Sequence, residues 1–187
     1  MHGHVGATVC MVVVQLYSYV GPPSLNFPAS CRHSQLLPRD SALGQLVAYL
    51  KSLAYELERL GHKEPLSVPP SVMLACYDGQ GAFYKPHMDS SGTDPRRLTA
   101  IVYLVPPDWD AAPSKDGGQL VWWLVDEYEQ PKYGTARNCL DPRAGRLVLF
   151  NARTVMHEVL PTHRKRFALT LWYFSASDHQ QSASTTR

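Results

Sequence analysis

The sequence predicts a mainly β domain, an antiparallel sandwich or double-sheet jelly roll, backed by a single long helix. Three observations point there. Helical periodicity appears once, over residues 41–60, as a stripe of leucines. From Val72 onward the chain reads as short runs rich in Val, Leu and aromatic residues, with no helical period among them. Turn chemistry separates the runs, at Asp78-Gly79-Gln80-Gly81, Asp116-Gly117-Gly118 and Asp141-Pro142-Arg143-Ala144-Gly145. An apolar stripe of that length needs a broad partner surface, and a sheet face supplies one.

Taken in order, the chain begins with an apolar stretch, Val9 to Val20, that Gln15, Tyr17, Ser18 and Tyr19 interrupt. It is too short and too polar to span a bilayer. No Lys or Arg precedes it, as the basic region of a signal peptide would require. Val12 to Tyr19 is therefore expected to be a buried strand. His2 and His4 read as a frayed terminus rather than a metal site. Pro22, Pro23, Pro28 and Pro38 mark residues 21–39 as a loop or linker. Residues 1–39 are thus a poorly defined segment ahead of a domain at 40–174, and the polar stretch 175–187 is expected to be a disordered tail.

In the helix, Leu43, Leu46, Val47, Leu50, Leu53, Ala54, Leu57 and Leu60 share one face. Asp40 or Ser41 can cap its start and Gly61 can end it, giving about 30 Å of helix. The β runs are Val72–Tyr77, Leu98–Val105, Gln119–Val125, Arg146–Phe150, Val155–Leu160 and Arg166–Phe174.

A chain of 187 residues suits one domain with a sizeable core. The formal net charge of +2 gives no argument for nucleic acid or an acidic membrane as a partner. Cys10, Cys31, Cys76 and Cys139 are scattered and form no Cys-x-x-Cys, so neither a zinc framework nor a disulfide scaffold is indicated. Free thiols fit a reducing compartment, cytoplasm or nucleus rather than the secretory pathway.

The chemistry gathers at Tyr84-Lys85-Pro86-His87-Met88-Asp89. In an extended strand, residues two apart point to one face, so His87 and Asp89 can converge on one ion. Two His and one carboxylate on one face of an ion, with the other positions open, are what a non-haem Fe(II) oxygenase needs. A lone His-x-Asp is weak, since chance gives roughly 0.4 such matches in a chain of this composition. An ordinary surface or core imidazole remains the alternative for His87. A second His must come from elsewhere, and His157 sits in a candidate strand. On the last strand Arg166, Ala168, Thr170 and Trp172 share one face and Phe167, Leu169, Leu171 and Tyr173 the other. An inward Arg is costly unless it meets an anion, and its planar fork matches a carboxylate. A metal site with such an Arg nearby could hold a dicarboxylate at both ends.

These residues carry a resemblance. Met-Leu-Ala-Cys-Tyr-Asp-Gly (73–79), Tyr-Lys-Pro-His-Met-Asp (84–89), Leu-Thr-Ala-Ile-Val-Tyr-Leu (98–104), Asp-Trp-Asp (108–110), Gly-Gly-Gln-Leu (117–120), Arg-Leu-Val-Leu-Phe (146–150), His-Glu-Val (157–159) and Arg-Phe-Ala-Leu-Thr-Leu-Trp-Tyr-Phe (166–174) occur in order. The region 72–174 resembles the catalytic domain of the 2-oxoglutarate- and Fe(II)-dependent prolyl 4-hydroxylases, above all the oxygen-sensing, hypoxia-inducible-factor type. The helix over 41–60 is similar to one that precedes the double-stranded β-helix in that family. The Pro86-His87 pair is instead similar to the collagen-type enzymes. The segment 126–140 is longer than its counterpart in the oxygen sensors, and residues 1–39 lack the family's usual N-terminal features.

The resemblance implies that His87, Asp89 and His157 bind Fe(II) and that Arg166 holds the distal carboxylate of 2-oxoglutarate. Tyr103 and Tyr77 would line the cosubstrate pocket, Thr170 would reach it through water, and Trp172 would pack near the iron. Ordinary aromatic core is the alternative for Tyr77, Tyr103 and Trp172. Leu104, Leu149 and Trp172 are expected to form the apolar shell. The implied reaction couples decarboxylation of 2-oxoglutarate by O2 to hydroxylation of a proline in a protein or peptide, with L-ascorbate keeping the iron ferrous. The protein is expected to act as a monomer. Arg96 and Arg97 close a loop of polar residues at the mouth of the site, either meeting a bound peptide or standing in solvent. Rival readings are a 2-oxoglutarate oxygenase acting on a small molecule or another side chain, a non-catalytic binding module, and a zinc hydrolase.

Overall fold

The computed structural model describes residues 11–15, 41–125 and 136–177. His2 and His4, Cys10 and Cys31, the proline-rich segment 21–39 and residues 178–187 lie outside the described residues; Ser175, expected to open a disordered tail, is instead buried at the end of the last strand.

The strands are β1 (Met11–Gln15), β2 (Leu66–Ser67), β3 (Met73–Tyr77), β4 (Ala82–His87), β5 (Arg96–Leu104), β6 (Leu120–Leu124), β7 (Asn138–Leu140), β8 (Arg146–Asn151), β9 (Val155–Thr162) and β10 (Arg166–Ser175), and the helix α1 spans Ala42–Arg59. All named pairings are antiparallel. The larger sheet runs β1-β8-β5-β10, with β2 and β3 both paired to β10, and the smaller runs β4-β9-β6-β7. Among the described residues, two antiparallel sheets backed by α1 make the jelly roll that the turn chemistry predicts. Of the first predicted strand, Val12 to Tyr19, the backbone up to Gln15 lies in β1, and the rest falls outside the described residues.

The helix begins where Ser41 Oγ accepts the Gly44 backbone N–H at 3.0 Å. It ends where Gly61 takes a φ of +102°. There the Gly61 N–H donates to Glu58 O and the His62 N–H to Leu57 O, which satisfies carbonyls of the last turn. Leu43, Leu50 and Ala54 pack on Val102, Leu147, Leu169, Leu171 and Tyr173, the outer face of the large sheet. Tyr173 Oη donates to Leu50 O at 2.7 Å and ties the helix to β10. Leu60, expected in the stripe, is 74% exposed, because the helix has already ended at Arg59. Leu50 is fully buried at the centre of this layer, so Leu50→Ala is expected to destabilise the fold by about 2–5 kcal/mol, read as a lower denaturant midpoint. No described helix is long and apolar enough to cross a membrane.

The second core lies between the sheets. Tyr103, Val148, Phe150 and Ala168 from the large sheet meet Leu120 and Val155 from the small one. Strand alternation sorts β10 as predicted: Leu169, Leu171 and Tyr173 face the helix, while Ala168 and its neighbours two residues either side face the small sheet. The same alternation overturns one expectation. Leu104 and Leu149 pack in the helix-side cluster. Their neighbours Tyr103, Val148 and Phe150 are the residues that look into the space between the sheets.

Strands β2 and β7 are two and three residues long, too short to show a period. Strand β4 has mostly exposed side chains and pairs only with β9, at the edge of the small sheet. Pro86 is tolerated there because an edge strand has no second neighbour to which its missing N–H would donate.

Candidate metal centre

Strand pairing brings the two histidines together. His87 on β4 stands directly opposite His157 on β9, and their ring centroids are 4.2 Å apart. Directly opposed residues of an antiparallel pair project on the same face. Asp89 arrives differently from expectation. β4 ends at His87, so Asp89 stands beyond the strand rather than at its next same-face position. Its Oδ1 lies 3.5 Å from His87 Nε2 and its Oδ2 3.8 Å from His157 Nε2. One ligand atom from each of the three lies within 4.8 Å of the others.

Each imidazole is oriented by a main-chain carbonyl. His87 Nδ1 is 3.0 Å from Lys85 O, and His157 Nδ1 is 3.3 Å from Val155 O. A carbonyl only accepts, so each Nδ1 donates its N–H there, which turns each Nε2 toward Asp89. Burial raises the Asp89 pKa, but the neighbouring His87 and His157 imidazoles and the Thr99 hydroxyl outweigh it and hold the carboxyl below its ordinary range. Burial is the dominant effect on His157 and keeps it neutral to lower pH than usual. Burial also works to lower the His87 pKa, yet the hydrogen bond and charge of Asp89, with the Lys85 carbonyl, leave it raised. The cluster is thus an ionised carboxylate between two imidazoles, one buried and one half-open to solvent. Phe150 meets the His157 ring edge-on at 4.8 Å, and Tyr84 meets His87 at 4.5 Å. Phe150, on the site face of β8, supplies the apolar wall expected of Leu149.

Arg166 is 2% exposed, and its Nε and Nη1 have no hydrogen-bond partner within the protein. Its guanidinium carbon lies 4.4 Å from the centre of the Tyr77 ring and 5.6 Å from that of Tyr103. Tyr77 is the direct β3 partner of Arg166, and Tyr103 sits on β5 opposite Ala168. Burial lowers the Arg166 pKa, with the two tyrosines opposing that shift, and a guanidinium stays charged regardless. The Tyr103 hydroxyl is buried with no partner, and burial raises its pKa, so it remains a phenol O–H donor. A buried cation with open N–H donors beside a free phenol is a site for an anion, and its planar fork suits a carboxylate. Gly118 makes room for it. A Cβ there would come within 2.9 Å of Arg166 Nε and 2.6 Å of Thr162 Cγ2. The sequence showed Gly118 only as a turn residue.

Thr170 is buried on the same face of β10. Trp172, further along that face, is half-buried, and its Nε1 has no partner. Its ring carries the Arg96 guanidinium at 4.5 Å. This corrects the expectation for the two arginines, which lie in β5 rather than on a loop. Arg96 Nη1 donates to Asp89 O at 2.7 Å, and Arg97 Nε pairs with Glu64 Oε2 at 2.8 Å. Both are engaged within the fold.

Two imidazoles and a carboxylate with a buried, carboxylate-shaped cation site on the facing sheet fit a divalent metal with a chelating dicarboxylate. A hydrolytic zinc site would leave Arg166 without a counter-anion.

The comparisons agree. The family model described as "2OG-Fe(II) oxygenase superfamily" matches residues 72–174. The hypoxia-inducible factor prolyl hydroxylase of Caenorhabditis elegans is 39% identical over 112 residues, 59% of this chain and 14% of that protein. The crystal structure of a Pseudomonas putida prolyl-4-hydroxylase superposes with a TM-score of 0.60 at 31% identity, covering 74% of this chain and 68% of that one. A prolyl hydroxylase from Trichoplax adhaerens, solved in complex with a hypoxia inducible factor oxygen degradation domain peptide fragment, gives a TM-score of 0.59 at 30% identity, covering 76% and 62%.

Proposed function

Because the chain belongs to the 2OG-Fe(II) oxygenase superfamily, we propose that it hydroxylates proline in a protein or peptide, using Fe(II), 2-oxoglutarate and O2. The observation that carries this reading is the His87–Asp89–His157 cluster facing a strand that buries Arg166 with unpaired N–H groups. The choice of proline rests on the likeness to prolyl hydroxylases at 30–39% identity.

Bound Fe(II) would supply O2 activation coupled to oxidative decarboxylation of 2-oxoglutarate to succinate and carbon dioxide. The chain supplies the rest. His87 and His157 present Nε2, and Asp89 brings the charge that favours a dication. Arg166 grips the distal carboxylate as a fork, and the Tyr103 hydroxyl donates to the same group. Thr170 reaches the cosubstrate through water. Phe150 and Trp172 keep bulk water away from the reacting atoms. L-Ascorbate would keep bound iron ferrous between turnovers. The free thiols of Cys76 and Cys139 support work in a reducing compartment, cytoplasm or nucleus.

Peptide libraries with a central proline, analysed by mass spectrometry, test the reading. A gain of one oxygen on proline that depends on Fe(II) and 2-oxoglutarate supports it. If iron-loaded, active protein leaves all such peptides unmodified and oxidises a free small molecule or another side chain, the prolyl assignment fails.

Metal affinity should also depend on pH in a stated direction. The His87 pKa lies above its ordinary value of 6.5, whereas those of Asp89 and His157 are depressed. Acidification therefore protonates His87 Nε2 first, and affinity should fall about tenfold per pH unit once pH drops below that raised value. Mn(II) titrations between about pH 8 and about pH 5.5 would measure it. A flat profile would mean that His87 is not a ligand.

A further inference from the structure

Asp89 is the one member of the cluster that no strand pairing places. Its position rests on its surroundings. The Ser90 N–H donates to Ala152 O at 3.0 Å, Arg96 Nη1 donates to Asp89 O at 2.7 Å, and Thr99 Oγ1 donates to Asp89 Oδ2 at 2.6 Å. The third contact is of another kind, because it acts on the carboxylate itself. Thr99 is fully buried on β5, between Phe150 of β8 and Trp172 of β10. Its hydroxyl has a single hydrogen, and 2.6 Å is the length of a charge-assisted O–H···O⁻ bond.

That bond makes the two carboxylate oxygens unequal. Each oxygen faces one imidazole, Oδ1 at 3.5 Å from His87 Nε2 and Oδ2 at 3.8 Å from His157 Nε2, but it is Oδ2 that accepts the Thr99 hydroxyl. We propose that Thr99 is a positioning residue that makes Asp89 bind the metal through Oδ1 alone. The consequence is one of coordination count. With two imidazoles, one carboxylate oxygen and a chelating 2-oxoglutarate bound, a six-coordinate ion would have one position left for O2. A carboxylate turned to bind through both oxygens would take that position. Arg96 acts on the same residue from the backbone side, and its guanidinium carbon lies 4.5 Å from the centre of the Trp172 ring. The inference rests on the metal reading of the cluster and adds a role that neither His-x-Asp spacing nor the ligand count assigns.

The test uses the full chain loaded without oxygen with Co(II), whose electronic spectrum reports coordination number. Thr99→Val and Thr99→Ala remove the hydroxyl; Thr99→Ser keeps it and removes only the methyl group. Val and Ala are expected to weaken Co(II) binding about 10–100-fold and to change the visible bands toward higher coordination. Ser is expected to restore affinity and spectrum to near wild type. Wild-type affinity and an unchanged spectrum in both Val and Ala would overturn the proposal while leaving the metal site intact. Equal impairment in Ser would also overturn it, since packing rather than the hydroxyl would then matter. If the wild-type chain binds no Co(II), the metal reading fails, and the role of Thr99 fails with it.

Discussion

Replacing His87, Asp89 or His157 singly by Ala is expected to abolish 2-oxoglutarate turnover. Loss of an outer-shell partner costs a metal site about 10–100-fold, and loss of a direct ligand should exceed that upper figure. The three positions are not equivalent structurally. His87 sits on the exposed edge strand β4, so its removal should leave the fold intact. His157 is 3% exposed and packed against Phe150, so His157→Ala also opens a cavity and needs a stability control. Asp89→Ala removes the charge and orphans the buried Thr99 hydroxyl. Succinate release at saturating Fe(II), read beside circular dichroism, gives the result. A folded His87→Ala protein that decarboxylates at the wild-type rate would show that the cluster is not the catalytic metal site.

Arg166→Lys is expected to raise the 2-oxoglutarate requirement roughly 10–150-fold, the loss of a charge-assisted hydrogen bond worth about 1.5–3 kcal/mol. A lysine would offer a point charge where the fork offers two parallel N–H groups. It would also be easier to neutralise, because burial already pulls the Arg166 pKa down and an ammonium yields its proton sooner. Substitution should leave metal affinity nearly unchanged, since Arg166 lies on β10, whereas His87 ends β4, Asp89 follows it and His157 lies on β9. The readout is the 2-oxoglutarate KM at saturating metal and peptide. An unchanged KM would remove Arg166 from the cosubstrate site.

Sequence alone determined the elements whose signal is local. The leucine period of α1 and its Ser41 and Gly61 boundaries are readable because helix periodicity and capping act within a few residues. The strands β5, β8, β9 and β10 are readable because they are dense in β-branched and aromatic residues. Alternation along β10 also grouped Arg166 with Thr170 and Trp172 on one face. Family resemblance then supplied His157 as the third ligand, which spacing could not.

Alternation says that neighbours face opposite ways; it does not say which way is inward when both faces of a sheet are covered. That is why Leu104 and Leu149, expected beside the site, lie in the helix-side core, while Phe150 is the wall beside His157. The register that sets His87 against His157, the Arg96 contact with Asp89, the Gly118 gap beside Arg166 and the Thr99 bond to Asp89 Oδ2 all join residues distant in the chain or on different strands. Only packing two sheets and a helix together brings such groups within hydrogen-bonding range, and no local period of the sequence carries that distance.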